Sequence, residues 1–137
     1  MTRKFFPYLY ITIIIIVSII SSGCRDQCKG GSGGSLTLKV NIMHHSKWIK
    51  GATLKIKYNA TEFPGENGNY DFTTIAGNQD SFILVNNLTC GDYYLFGKGI
   101  DSTLPNPDKT VQAGISFSTE KETGTVAITL PLTEPHN

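Results

Sequence analysis

The 137-residue chain is poor in charged side chains, in arginine and in histidine. Charged residues make up 17% of the sequence, and 12 basic against 11 acidic side chains leave a net charge of +1. The basic residues are scattered along the chain and do not form the basic stripe that a nucleic-acid-binding surface needs. The sequence therefore predicts that the protein has no nucleic-acid partner.

Patterns that carry catalysis are also missing. Nucleophilic catalysis needs an activated Ser or Cys beside a His and a carboxylate, and no such set stands out among the three histidines. The acidic residues lack the dense spacing of a calcium loop, and the cysteines lack zinc-site spacing. We therefore expect no enzyme, no catalytic residue, no cofactor and no metal. Asp71, Asp101, Asp108 and Glu66 are interpreted as solvated loop carboxylates.

Long amphipathic helices are absent from the pattern. No window of about 12 residues or more shows the 3.6-residue apolar period of a helix, and the 14 glycines favour short strands joined by tight turns. A helical bundle is therefore not expected, and the length fits one domain.

The amino terminus has the three parts of an export signal. Arg3 and Lys4 precede an apolar run from Phe5 to Ile20, and small residues follow it. The run has 16 residues, fewer than the roughly 20 apolar residues of a membrane-spanning helix. Residues 1–23 are predicted to be a signal peptide, and a retained single span is the alternative.

Cys24 directly follows the small residues 21–23. This arrangement resembles the lipobox of bacterial lipoproteins, in which the Cys is acylated and becomes the first residue of the mature chain. The resemblance implies a membrane lipid partner through palmitate-like acyl chains on Cys24. It also implies a place in the bacterial cell envelope, at the outer membrane or cell surface. The alternative is an ordinary signal peptide followed by a structural cysteine.

The segment that follows Cys24 is rich in glycine and serine. Such a composition behaves as a flexible coil, so residues 24–35 are predicted to be a tether. A coil of about eleven residues would hold the domain on the order of 20 Å from the bilayer.

Apolar and polar residues alternate with a period of two from Leu36 onward, which is typical of strands with one buried face. The folded domain is predicted to span residues 36–134, followed by a tail of residues 135–137. The strand count and spacing indicate an all-β, seven-stranded antiparallel sandwich. The predicted strands cover residues 36–43, 52–59, 70–75, 82–85, 92–97, 111–117 and 126–132.

Two short patterns carry a family resemblance over roughly residues 36–134. One is the Ala-x-Leu-x-Ile strand at residues 52–56, and the other is the Leu-x-x-Gly-x-Tyr turn formed by Leu88, Gly91 and Tyr93. The chain resembles small bacterial surface lipoproteins with a carboxypeptidase-regulatory-like or prealbumin-like (transthyretin-like) domain. The resemblance implies a Greek-key, Ig-like sandwich and a surface location, but no activity. We interpret the turn itself as structural, because Leu88 can fill the core and Gly91 allows a positive φ.

Cys28 and Cys90 are the two thiols that remain if Cys24 is acylated. Disulfides persist outside the cytoplasm, so the two residues could form a bridge. Two free thiols are the alternative that the sequence leaves open.

The connection after the first strand contains His44, His45 and Trp48. Because neighbouring side chains on an extended strand point to opposite faces, both histidines could bind one metal only where the chain bends. The preferred interpretation is a solvated loop, and the alternatives are a weak surface metal site or a loop that contacts a partner. Residues 44–50 and 62–69 are the loops expected to carry any such contact.

Two functional hypotheses result. The first is a non-enzymatic structural or binding module whose partner is an envelope protein or surface ligand. The alternative is a small metal-binding envelope protein or enzyme that uses His44 and His45 with an acidic loop residue, or an accessory domain of a larger envelope complex.

Overall fold

The computed structural model describes residues 28–77, 80, 82–105 and 108–135. Within these ranges the chain is all-β and forms eight strands in two four-stranded sheets. No helix in the described ranges is long and apolar enough to cross a membrane. The strands are β1 (Ser32–His44), β2 (Lys47–Trp48), β3 (Thr53–Tyr58), β4 (Phe72–Ile75), β5 (Ile83–Leu88), β6 (Gly91–Ile100), β7 (Thr110–Thr119) and β8 (Thr123–Pro131).

The first sheet is built around β1. Strand β5 pairs with it antiparallel, β2 forms a short hairpin with its end, and β8 pairs with it in parallel. The parallel ladder is long, running from Ser35 opposite Thr123 to Met43 opposite Pro131. The prediction of antiparallel pairing is therefore wrong for β1 and β8. The described residues also form eight strands, where the sequence predicted seven. Alternation shows which face of a strand is buried, but not the direction of its neighbour.

The second sheet has the order β4-β3-β6-β7, and all its pairs are antiparallel. One hydrophobic core includes side chains from both sheets. The alternating burial along β1 and β3 confirms the period of two that the sequence shows. The fully buried side chains with the largest volumes are Tyr93, Leu36, Leu38, Leu54, Ile56, Leu88, Leu95, Leu130, Val40 and Val111.

The fold begins before residue 36. Strand β1 starts at Ser32, and the preceding glycines are held by hydrogen bonds: Asn59 Nδ2 donates to the Gly30 carbonyl at 2.8 Å, and the Thr89 amide donates to the Gly31 carbonyl at 3.0 Å. The prediction of a flexible tether is therefore wrong for residues 28–35. A glycine-rich sequence suits a mobile coil, but it also lets two backbones approach closely. Here Gly30 and Gly34 pack directly against the backbones of Asp92 and Leu88.

The Leu-x-x-Gly-x-Tyr turn packs against this amino-terminal segment. Leu88 and Tyr93 are buried, and Gly91 has a φ of 132°, as the interpretation of the turn requires. A side chain at Gly91 would overlap the backbone of Gly30. The Tyr93 hydroxyl donates to the Thr89 carbonyl at 2.6 Å, so the corner is fixed by the same residue that fills the core.

Cys28 and Cys90 form a disulfide in the structure, with a Cα–Cα distance of 5.0 Å. The bridge joins the segment before β1 to the turn before β6. Cys24 and the predicted signal peptide lie outside the described residues.

Candidate functional site

The candidate site lies where β1 ends and turns into β2. His44 pairs with Lys47, so only His45 and Ser46 connect the two strands. Both connecting residues have a positive φ, 45° and 65°, which is the backbone conformation of a type I′ hairpin turn. This turn supplies the bend that two neighbouring histidines need to share a ligand. Their rings lie edge to face with centroids 4.1 Å apart.

His44 is buried and faces a buried carboxylate. Its Nδ1 lies 2.8 Å from Oδ2 of Asp101, and the two residues are 3% and 5% exposed. Asp101 directly follows β6, so the pair joins the end of a strand in one sheet to the end of a strand in the other. The interpretation of His44 as a solvated loop residue, and of Asp101 as a solvated carboxylate, is therefore wrong.

Asp101 is held on its other side by a local turn. Its Oδ1 accepts hydrogen bonds from the Thr103 amide at 2.9 Å and from the Thr103 hydroxyl at 2.7 Å. The hydrogen bond with His44, followed by those from Thr103, holds the pKa of Asp101 well below its usual range. Because an ionised carboxylate only accepts hydrogen bonds, Nδ1 of His44 is the donor, and Nε2 is the nitrogen left for another partner.

Glu134 lies beside the two histidines because β8 pairs in parallel with β1. Pro131 pairs with Met43, and the Leu132 amide donates to the Met43 carbonyl at 2.7 Å, so the chain after β8 continues alongside the end of β1. His44, His45 and Glu134 each offer one ligand atom, and these atoms lie within 4.8 Å of one another. His45 and Glu134 are exposed, and His44 is buried.

Trp48, the third residue of the predicted contact loop, lies on the strand that follows the two histidines. Trp48 is 43% exposed on the two-residue strand β2, which the sequence did not predict because two residues show no periodicity. His136, the third histidine, lies outside the described residues.

The second predicted contact loop, residues 62–69, is fixed against the second sheet. Phe63 is half exposed, and its ring lies 5.3 Å from that of Phe96 and 5.7 Å from that of Tyr94. Lys98 forms an ion pair with Glu66 at 2.5 Å. The three aromatic side chains line a groove of about 240 Å³ that also includes Glu134. This loop is therefore ordered by aromatic packing and does not stand free.

Two residues of the candidate site were not connected to it from the sequence. Asp101 lies 57 residues from His44, and Glu134 lies farther still, so no local spacing connects them. The Asp-Ser-Thr pattern at residues 101–103 is the available signal for Asp101, because it favours a turn in which the carboxylate accepts from the backbone.

No family model matches the chain, and no curated protein matches it.

Proposed function

We propose that this chain is a lipid-anchored protein of the bacterial cell envelope that acts as a non-enzymatic structural or binding module. The observation that carries the proposal is the disulfide between Cys28 and Cys90. Disulfides of this kind persist in oxidising compartments outside the cytoplasm, and the predicted signal peptide and lipobox would direct the chain there.

The position of the disulfide shortens the expected linker between the lipid anchor and the folded domain. Arg25, Asp26 and Gln27 are the only residues between the proposed acylated Cys24 and the first bridged cysteine. Four Cα steps at about 3.3–3.6 Å each span at most about 14 Å. The folded domain would therefore lie closer to the bilayer than the roughly 20 Å expected for a flexible tether.

A short linker also restricts which end of the domain faces the membrane. Strand β1 begins four residues after Cys28 and has 13 residues, which at about 3.3 Å per residue extend roughly 40 Å. Its far end carries the hairpin with His45 and Trp48. We infer that this end points away from the membrane, where a surface ligand or an envelope protein can reach it.

The exposed contact residues on this hairpin are Trp48, Lys47 and Lys50. Binding energy in interfaces concentrates in aromatic and cationic anchors, which makes Trp48 the first residue to test. His44 does not belong to this surface, because its side chain is buried against Asp101.

The finer fold assignment is part of the proposal. Two four-stranded sheets around one core, together with the Leu88–Gly91–Tyr93 corner, support a β-sandwich of the prealbumin-like or carboxypeptidase-regulatory-like kind.

The anchor is tested by fractionation of a bacterial host that makes the full chain, with Cys24→Ser as the variant. The wild-type protein is expected in the membrane fraction, released by detergent and not by salt. Cys24→Ser is expected to lose membrane attachment. Retention of Cys24→Ser in the membrane, together with a wild-type mass that still includes residues 1–23, would show that these residues stay as a span, and would contradict the lipid anchor.

The contact surface is tested by crosslinking in the same host. Trp48→Ala is expected to remove crosslinked partners seen with the wild type, and Leu84→Ala, a substitution of another exposed side chain on β5, is the matched control. Unchanged crosslinks with Trp48→Ala would remove the hairpin from the proposal.

A further inference from the structure

We propose that His44, His45 and Glu134 bind a divalent transition-metal ion of the zinc class, with Asp101 as the residue that positions His44. This inference does not depend on the lipid anchor. It departs from the expectation of no metal and develops the alternative hypothesis of a metal site at His44 and His45, with Glu134 as the acidic ligand.

The first argument is the convergence of three ligand residues from two distant parts of the chain. The ligand atoms of His44, His45 and Glu134 lie within 4.8 Å of one another. Tetrahedral zinc bonds of about 2.0–2.1 Å place neighbouring ligand atoms roughly 3.3 Å apart. His45 and Glu134 are exposed, so rotation of these two side chains can close the remaining distance.

The second argument is the chemistry of the donor set. Two imidazoles and one carboxylate are the protein ligands of catalytic-type zinc sites, in which a water fills the fourth position. Calcium and magnesium prefer sites made of oxygen alone. The donors therefore select zinc, copper or nickel over the hard cations.

The third argument is the bond between His44 and Asp101. Histidines that bind metals usually donate the other ring nitrogen to a carboxylate or a carbonyl, which fixes the ring and its tautomer. Here Nδ1 of His44 is already engaged with the buried Oδ2 of Asp101 at 2.8 Å, which leaves Nε2 as the nitrogen that would bind a metal. One ligand of the proposed site is therefore held in place before any metal arrives.

The fourth argument is that the other two ligands have no competing polar contact among the residues that the structure describes. Within the described part of the chain, the side chains of His45 and Glu134 form no hydrogen bond or ion pair. The type I′ turn holds His45 next to His44, and the parallel ladder between β1 and β8 brings Glu134 beside both. The backbone thus assembles the cluster without using its ligand atoms.

The fourth coordination position would open to solvent at the end of β1. Glu134 also lines the groove that contains Phe63, Tyr94 and Phe96. A bound metal would therefore lie at the rim of this groove, where it can reach a carboxylate or imidazole of another molecule.

The test is titration of Zn²⁺ alone into the full chain, extracted in detergent and freed of metal with a chelator. The wild type is expected to bind one equivalent. His45→Asn keeps the positive φ that Asn tolerates and removes the imidazole, and Glu134→Gln removes the charge. Each is expected to weaken zinc affinity by at least about tenfold.

Two matched controls belong to this titration. Ser46→Asn alters the same turn without removing a ligand, and Glu120→Gln removes an exposed carboxylate elsewhere. Both are expected to bind Zn²⁺ as the wild type does. The proposal is overturned if the wild type binds no Zn²⁺ tighter than about 100 µM. It is equally overturned if His45→Asn and Glu134→Gln keep the wild-type affinity.

The role of Asp101 is tested with Co²⁺, whose visible spectrum reports the geometry of its ligands. Asp101→Asn is expected to lower Co²⁺ and Zn²⁺ affinity by about 10–100-fold and to change the Co²⁺ spectrum, whereas Glu120→Gln changes neither. An unchanged spectrum and affinity in a folded Asp101→Asn protein would contradict the positioning role. If this variant does not fold, the exposed His45 and Glu134 variants still decide the site.

Discussion

His44 at the end of β1 and Asp101 directly after β6 form a buried hydrogen bond between the two sheets, with Nδ1 and Oδ2 2.8 Å apart. The pair lies at the end of the molecule that carries the β1–β2 hairpin. We expect this pair to stabilise the fold and to fix the imidazole of His44 beside His45 and Glu134.

His44→Ala is expected to lower the melting temperature, because it leaves the Asp101 carboxylate buried without its main partner. We expect a decrease on the order of 5–10 °C. His45→Asn, one residue away and exposed, is the matched control and should melt like the wild type. Both are measured by circular dichroism in the presence of a chelator. Equal melting temperatures for the wild type and His44→Ala would show that the pair contributes nothing to stability.

The Asp101 carboxylate makes stability depend on pH in a defined direction. A carboxyl group whose pKa is lower in the folded than in the unfolded chain stabilises the fold above its unfolded pKa of about 4, and loses this contribution as the pH falls below that value. The pKa of Asp101 is lowered, first by the hydrogen bond with His44 and then by those from Thr103.

The wild type should therefore be more stable than Asp101→Asn at about pH 6, and the difference should shrink as the pH falls below about 4. Thermal melts in a chelator across this range measure it, and Asp108→Asn, at an exposed carboxylate, is the control. A difference between wild type and Asp101→Asn that stays constant from pH 6 to strongly acidic pH would be inconsistent with this role.

Gly91→Ala is expected to destabilise the fold strongly. The residue has a φ of 132°, and an added Cβ would overlap the backbone of Gly30. Gly124→Ala is the matched control, because Gly124 also has a positive φ, 87°, but has open space around it. We expect Gly124→Ala to cost about 1–2 kcal/mol of unfolding free energy from backbone strain alone.

Gly91→Ala should cost clearly more than that control, or prevent folding. Urea unfolding monitored by the fluorescence of the single Trp compares the two variants. Similar losses in both would mean that the close approach to Gly30 does not matter.

Removal of the disulfide should lower the free energy of unfolding without changing the fold. A bridge across 62 residues of sequence separation is worth about 4 kcal/mol in the chain-entropy model, and measured effects are typically about 2–4 kcal/mol. The double variant Cys28→Ser/Cys90→Ser is compared with the wild type in urea, with and without a reductant. The reductant should destabilise the wild type and leave the double variant unchanged. A reductant effect of the same size on both proteins would argue against the bridge.

The strands that alternate apolar and polar residues were predictable from the sequence, because one buried face imposes a period of two. Strand β1 shows this from Leu36 to Ile42, and β3 shows it from Leu54 to Ile56. The two-residue strand β2 carries no such period. The start of β1 at Ser32 was hidden by a glycine-rich composition, which suits a coil and a tightly packed backbone equally well.

The candidate site was predictable only in part. The neighbouring histidines were visible, together with the condition that the loop must bend if both are to bind one metal. Asp101 and Glu134 were not, because both reach His44 through tertiary structure. Asp101 does so across the two sheets, and Glu134 through the parallel pairing of β8 with β1.

The central claim is that Cys24 is acylated and that Cys28 and Cys90 form a disulfide. Its most direct test is the intact mass of the full chain, made in a bacterial host and extracted from the membranes of that host. The mass is measured after thiol alkylation, with and without prior reduction. The account predicts a chain that begins at Cys24, carries acyl chains, and takes up alkylating groups at Cys28 and Cys90 only after reduction. A mass that still includes residues 1–23, or that lacks acyl chains, would contradict the anchor, and alkylation of both thiols before reduction would contradict the bridge.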